Sequence, residues 1–298
     1  MNMEPDPAFT AEIQRADILV EALPYLQKFR GQTVVIKYGG SAMEDAALVT
    51  SVLRDIVFLE AVGINPVIVH GGGKAITQRM QEAGLKARFV AGLRVTDLES
   101  VKIVAEVLDT GINPGIVGKL KSLGGRAKSL SGSDVFRVRK TAPFEHKGET
   151  VDLGYVGEVL GCHVLRVLDC IQQEVVPVIS PIGQDDTQKI YNINADIAAA
   201  EIAVALEARK VIYLSDVNGV LRNPADPSTR IPTITEADVE ALKKDGTIDG
   251  GMLPKVNSCL KALSLGVEKV HLIDGRIPHA LLLELFTDRG IGTEIVLK

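Results

Sequence analysis

Apolar positions fall into two alternating rhythms along this chain. Short continuous apolar runs, rich in Val and Ile, predict strands over 33–37, 65–70, 175–180, 210–214, 269–273 and 294–297. Between them, spacing of three and four residues predicts helices over 45–62, 74–83, 98–108, 236–244, 253–265 and 278–286, together with the regular segment ADIAAAEIAVALEA at 195–208. Asp97 and Asn194 stand where N-caps are needed, and Gly63 and Gly84 where helices should stop. Pro177 places the strand at 175–180 at a sheet edge or puts the proline at a strand start, because it has no N–H for a ladder. Residues 134–160 are less regular, and VFRVRK and TVDLGYVGEVL predict a β-hairpin there; the Pro, Asn, Asp and Ser content of 222–234 predicts a surface loop. Repeated strand–helix alternation implies an α/β fold, a three-layer αβα sandwich around a largely parallel central sheet.

One helical segment lies outside that alternation. Phe9, Ile13, Ala16, Leu19, Val20, Leu23 and Leu26 keep helical spacing over 9–29, with Pro24 set to kink or divide the helix. It precedes the first strand, so its apolar face needs cover from elsewhere, and a second subunit is the natural source. Residues 1–8 form a polar, Pro-bearing tail. The predicted organisation is therefore a tail and assembly helix at 1–30 and a main domain at 31–298, with lobes 31–183 and 184–298.

Composition sharpens this reading. Hydrophobic residues make up 46% and aromatic residues 4%, without Trp, so Val, Ile, Leu and Ala must build the core. A net charge of −5 supplies no basic field for nucleic acid or an anionic membrane. Cys162, Cys170 and Cys259 form no C-x-x-C pair and read as small hydrophobes. With no basic-then-apolar leader and no window of about 18 apolar residues, the expected location is the cytoplasm.

The candidate chemistry lies in three glycine turns: Lys37-Tyr38-Gly39-Gly40, His70-Gly71-Gly72-Gly73, and Gly250-Gly251 ahead of Lys255. Backbone without Cβ atoms can bring N–H groups close to a phosphate while a nearby lysine neutralises it, although each turn alone could be an ordinary strand-to-helix connection. The GGK ending at Lys74 is no P-loop, because Ile68 and Ala75 occupy two required positions, and Ile76 breaks G-x-G-x-x-G. H-R-D, D-F-G and G-x-S-x-G are also missing.

Taken in order, KYGGSAM (37–43), VHGGGKAI (69–76), GLRVTD (92–97), DLGYVGEV (152–159), YNINAD (191–196), SDVNGV (215–220), GGMLPK (250–255) and GIGTEI (290–295) resemble the N-acetylglutamate kinases of the amino acid kinase family. The resemblance covers almost the whole chain and implies ATP-dependent phosphorylation of the side-chain carboxylate of N-acetyl-L-glutamate in arginine biosynthesis. It assigns Lys37 to the acceptor side, Lys255 to the leaving phosphate, and Asp196 to holding the lysines; alternatively, Asp196 only favours the macrodipole of its helix. Gly39, Gly40, Gly71 and Gly72 would donate N–H groups to the transferring phosphoryl. Arg94 and Asn192 would bind the acceptor's carboxylate or N-acetyl end, unless Arg94 is a surface ion-pair residue. Ser215, Asp216 and Gly219 would border the nucleotide, and Mg²⁺ would arrive with ATP rather than occupy a protein metal site.

The long N-terminal helix resembles that of the arginine-inhibited members, implying a trimer of dimers and an L-arginine site at Tyr25, His271, Glu284 and Gly290. A PII-type protein is a further regulator the resemblance admits. His70 is assigned a structural role, since an ionised carboxylate acceptor needs no base. Two departures stand out: Gly132-Ser133-Asp134-Val135 replaces the common Gly-Lys-Asp-Gly, and Ser41 replaces the frequent Asn. Two alternatives remain, a kinase for N-acetyl-L-2-aminoadipate, one methylene longer, and a non-catalytic arginine sensor of the same fold.

Overall fold

A computed structural model describes residues 9–250, 252–288 and 290–298. The expected tail at 1–8 and Gly251 lie outside the described residues, as does the side chain of Ser41. The first strand, β1 (Thr33–Tyr38), occupies the middle of an eight-stranded sheet with β2 (Asn65–His70) and β13 (Lys210–Ser215) as its parallel neighbours. Beyond β2 come β10 (Val176–Ile179) and β5 (Ala127–Leu130), and beyond β13 come β15 (Lys269–Asp274), β16 (Thr293–Val296) and β14 (Thr233–Thr235). Among the described residues of this sheet, only the β15–β16 pairing is antiparallel.

Both faces of this sheet are covered, which is why its strands read as unbroken apolar runs. Val34 and Ile36 of β1 bury against α3 (Ala46–Ala61), α6 (Asn113–Ser122) and α11 (Ala280–Leu285). Val35 points the other way, into a layer built with α8 (Ala195–Ala205) and α10 (Met252–Ser264). Each such fully buried Val or Ile contributes about 1.5–3 kcal/mol over an exposed one. The alanine-rich α8 lets its backbone approach β1 closely and so brings its first turn over the strand's carboxyl end.

Side-chain caps set the helix starts beside that edge. Asp45 accepts from the N–H groups of Ala47 and Leu48, Asp97 from Ser100, and Asn194 from Asp196 and Ile197. Before β1, the N-terminal segment divides at Ala22 into α1 (Thr10–Glu21) and α2 (Leu23–Phe29), with Pro24 in the first turn of α2. α1 buries none of its residues within the chain.

Pro177 is not at an edge: β10 lies between β2 and β5. The ladder to β2 starts only at Val178, so the missing N–H interrupts little. The expected hairpin over 134–160 is also more elaborate. β6 (Phe136–Lys140) pairs antiparallel with β9 (Gly157–Cys162), but a second small hairpin, β7 (Phe144–His146) with β8 (Glu149–Val151), intervenes. β6 and β9 belong to a four-stranded sheet with β11 (Ile182–Gln184) and β12 (Ile190–Asn192). The loop expected over 222–234 ends in β14, whose Thr233 and Ile234 pair with β16.

Candidate active site

The carboxyl ends of the parallel strands converge on a cavity of about 820 Å³. Lys37, Gly40, Gly71, Gly72, Arg94, Asn192 and Asp196 all line it. Lys37 leaves the end of β1 and its Nζ lies 2.9 Å from Oδ1 of Asp196, which the Asn194 cap fixes in the first turn of α8. Tyr213 of β13 donates its hydroxyl to the Asp196 carbonyl at 3.0 Å, tying that turn to the sheet.

The two glycine turns touch. Gly39 and Gly71 approach so closely that a Cβ on Gly71 would lie 3.5 Å from the Gly39 Cα. Gly72 opens α4 (Gly73–Glu82), and a Cβ there would come within 2.6 Å of Leu108 and 2.8 Å of Ile112. Those two side chains belong to a π-helical turn at Val107–Ile112 that follows α5 (Leu98–Glu106). One expected role changes here: the Gly71 N–H donates to the Tyr38 carbonyl at 2.7 Å, so it is not free for a phosphoryl oxygen. The start of α4, which has no side-chain cap, supplies unpartnered N–H donors at the same wall.

Arg94 is no surface ion-pair residue. It is 7% exposed, donates to the Gly73 carbonyl (2.9 Å) and Thr77 Oγ1 (2.8 Å), and stacks over Phe89 at 4.6 Å. Burial lowers its pKa, yet a guanidinium stays charged, so a cation faces the cavity without a carboxylate partner among the described residues. Its placement comes from the hairpin of β3 (Arg88–Val90) and β4 (Leu93–Val95), which sets Arg94 opposite Phe89. That hairpin escaped the sequence reading because its turn uses Ala91 at φ 50° beside Gly92, and Ala is not a residue that signals positive φ.

Ser215, Asp216, Gly219 and Lys255 lie outside that cavity's wall. Lys255, in the first turns of α10, pairs with Asp216 beyond the end of β13, and this contact holds the Asp216 carboxyl below its ordinary range. Asp196 therefore contacts Lys37 while Asp216 contacts Lys255, so a single carboxylate does not hold both lysines. Ser215 adds a hydrogen bond to Asp216 at 3.3 Å. Gly219 is buried against Thr293, whose Oγ1 a Cβ would meet at 2.4 Å, so its missing side chain serves packing.

His70 is fully buried, its Nδ1 3.0 Å from the Gly71 carbonyl, and burial pushes its pKa down to about 4. Neutral imidazole with the proton on Nδ1 satisfies that contact. Among the departures, Asp134 pairs with Arg166 at 2.6 Å and Ser133 lies 2.7 Å from Ser131, so this turn is tied internally before β6 begins. Burial also raises the thiol pKa of Cys162, Cys170 and Cys259, which disfavours the thiolate.

A second cavity, of about 830 Å³, is lined by Tyr25, His271, Glu284 and Gly290. Glu284 is buried; burial opposes its charge, but hydrogen bonds from His271 (2.5 Å), Ile291 N–H (2.8 Å) and Gly292 N–H (3.1 Å) hold its pKa below the usual range. Gly290 has φ 55° and sits so close that a Cβ would reach 2.7 Å from Glu284 Oε2. Tyr25 reaches the same region from α2, donating to Asp288 at 2.7 Å and meeting Phe286 edge-on.

The sequence model of the amino acid kinase family matches residues 32–274. The chain belongs to the amino acid kinase family. It is 49% identical over 292 residues to a protein of Akkermansia muciniphila named acetylglutamate kinase, covering 98% of both chains. It is 47% identical to a protein of the same name from Pelotomaculum thermopropionicum, over 95% of this chain and 98% of that one. Among solved structures, N-acetylglutamate synthase from Neisseria gonorrhoeae, in complex with coenzyme A and N-acetyl-glutamate, superposes with a TM-score of 0.79 at 25% identity, covering 95% of this chain and 63% of that one.

Proposed function

We propose that this kinase transfers the γ-phosphoryl group of ATP to the side-chain carboxylate of N-acetyl-L-glutamate, giving an acyl phosphate in arginine biosynthesis. The observation that carries this reading is the cavity that joins the Lys37–Asp196 pair to Arg94, a buried cation without a carboxylate partner among the described residues. Arg94 and Asn192 hold the acceptor's fixed end, and Lys37 offsets the repulsion between its ionised carboxylate and the γ-phosphoryl. A carboxylate is already charged at neutral pH, so no general base is required. As a carboxylate oxygen bonds to the γ-phosphorus, the β–γ bridging bond breaks and its electron pair leaves with ADP. Lys255, paired with Asp216 beyond the end of β13, is taken to meet that charge. Magnesium enters as MgATP in this reading.

The two lobes, 31–183 and 184–298, are part of the same reading. Residues 31–183 supply most of the acceptor cavity, and 184–298 carry Asp196, Asp216 and Lys255. Hydroxylamine trapping of the acyl phosphate, with acetylglutamate, acetylaminoadipate and carbamate compared, tests the assignment. Absence of acylhydroxamate from acetylglutamate refutes it.

Control is the second part of the reading. The exposed apolar residues of α1, among them Ile13, Ile18, Leu19 and Val20, are taken to pack between dimers in a hexamer. L-arginine is taken to occupy the cavity at Tyr25, His271, Glu284 and Gly290 as inhibitor. Glu284 already accepts three hydrogen bonds, which leaves about one lone-pair site for a guanidinium.

A further inference from the structure

Lys74 and Glu44 occupy the acceptor cavity's wall, and the assigned chemistry uses neither. Glu44 follows the first glycine turn and Lys74 the second, and Lys74 Nζ reaches Glu44 Oε2 at 2.6 Å, across the gap between them. Lys74 sits in the first turn of α4, where the helix dipole and free N–H groups already favour an anion and disfavour a cation. Its placement therefore works against local helix stability. Both side chains are open to solvent, Lys74 at 80% and Glu44 at 42%, and exposed ion pairs shift an equilibrium by about fivefold at most.

The charges around the cavity put this pair to use. Lys37 is neutralised by Asp196 and Lys74 by Glu44, so Arg94 is the one lining cation without a carboxylate among the described residues. The reaction brings a dicarboxylate and a phosphoryl group into that space. A charge-assisted contact inside the cavity is stronger than an exposed pair, so an arriving anion outcompetes Glu44 for the ammonium. The geometry points to Lys74 as a third lysine of phosphoryl transfer, resting on Glu44 and moving onto the γ-phosphoryl held at the start of α4. This deepens the proposed reaction and rests on the phosphoryl occupying that wall.

Steady-state kinetics and acetylglutamate binding without ATP, on Lys74→Met, Lys74→Arg and Glu44→Gln, test it. Lys74→Met is expected to lower kcat by on the order of 10–100-fold while leaving the acetylglutamate Kd unaltered. Lys74→Arg should retain at least about a third of kcat, since it keeps the charge. Glu44→Gln should raise kcat/KM for ATP, by about fivefold at most, because it removes the competitor. A fall of similar size in Glu44→Gln and Lys74→Met would make the pair a static clasp and overturn the proposal. So would a changed acetylglutamate Kd in Lys74→Met, which would move the lysine to the acceptor. Normal kcat in Lys74→Met beside an active wild type refutes the role of Lys74 alone; no acyl phosphate from the wild type refutes the transfer reading with it.

Discussion

Lys37 Nζ and Asp196 Oδ1 stand 2.9 Å apart, an ion pair that joins the end of β1 to the first turn of α8 across the topological centre of the sheet. Its side chains are 19% and 22% exposed, between the surface, where such pairs contribute little, and the interior, where desolvation dominates. Asp196 is itself fixed by a cap and by the Tyr213 hydroxyl. The ammonium is therefore held in place before substrate arrives, which is what electrostatic stabilisation of a transition state requires.

Lys37→Ala and Lys255→Ala should each lower kcat by on the order of 10²–10³, with smaller changes in KM, because the contacts strengthen as charge moves to the bridging oxygen. Asp196→Asn should also lower kcat, since Lys37 loses its orienting partner. Steady-state assays decide this; near-normal kcat in either alanine variant would remove that lysine from the mechanism.

Arg94→Lys keeps the charge but loses the planar guanidinium, whose Nη2 donates to both Gly73 and Thr77 while Nη1 meets Met80. The KM for acetylglutamate should rise about tenfold or more while that for ATP changes little. The reverse pattern would move Arg94 to the nucleotide.

Gly72→Ala forces a Cβ against Leu108 and Ile112. Overpacking of this kind costs about 1–3 kcal/mol, and the displaced turn should lower kcat as well. Leu108→Val shortens the side chain that the new Cβ meets, so adding it to Gly72→Ala should recover part of both losses. Thermal melts and kinetics of the single and double variants measure the recovery, and strictly additive losses would reject the contact as the cause.

The same contact marks what the sequence withheld. Lys37, Gly72, Arg94, Asn192 and Asp196 announced themselves through ordered motifs, and the cavity brings them together. The wall behind Gly72 did not, because Gly111, Pro114, Gly115 and Gly118 punctuate 107–122 as if it were a loop. In fact the helix runs without a break from the π-helical turn into α6, with Pro114 just past the junction and the glycines carried inside it. For Pro177 the edge alternative failed and the strand-start one came nearer, since which neighbour a proline's nitrogen faces depends on ladder register and not on composition. The occupied N–H of Gly71 was likewise invisible, because it follows from the parallel pairing of β1 and β2.

His70 predicts a pH dependence. Its folded pKa is about 4 against 6.5 for the free side chain, so between those values the unfolded chain binds a proton that the buried ring excludes. Stability from this site is complete above about pH 6.5 and falls as the pH drops towards 4, by about 1.4 kcal/mol per unit. Denaturant unfolding at pH 7 and pH 5 should show the wild type losing about 2 kcal/mol more than His70→Gln. Equal losses would mean that His70 is protonated in the fold.

Removal of residues 1–28 takes away α1, most of α2 and Tyr25 together. The first consequence concerns assembly: no residue of α1 is buried within the chain, so its loss should leave the kinase domain folded and active while turning the proposed hexamer into a dimer. The second concerns control, because Tyr25 lines the second cavity and contacts Asp288 on its rim. The proposed inhibition requires that arginine prefer the less active arrangement, and a coupling of about 1–3 kcal/mol is typical, so the truncated enzyme should need roughly 5–150-fold more arginine for half-inhibition. Gly290→Ala attacks the same cavity from the opposite wall, where a Cβ would press on Glu284 at 2.7 Å, and it should weaken arginine while leaving the hexamer intact. Light scattering and arginine titration on both variants separate assembly from effector binding. A dimeric full-length protein would refute the role given to α1, and a wild type indifferent to millimolar arginine would refute the effector site, in either case without altering the phosphoryl-transfer assignment.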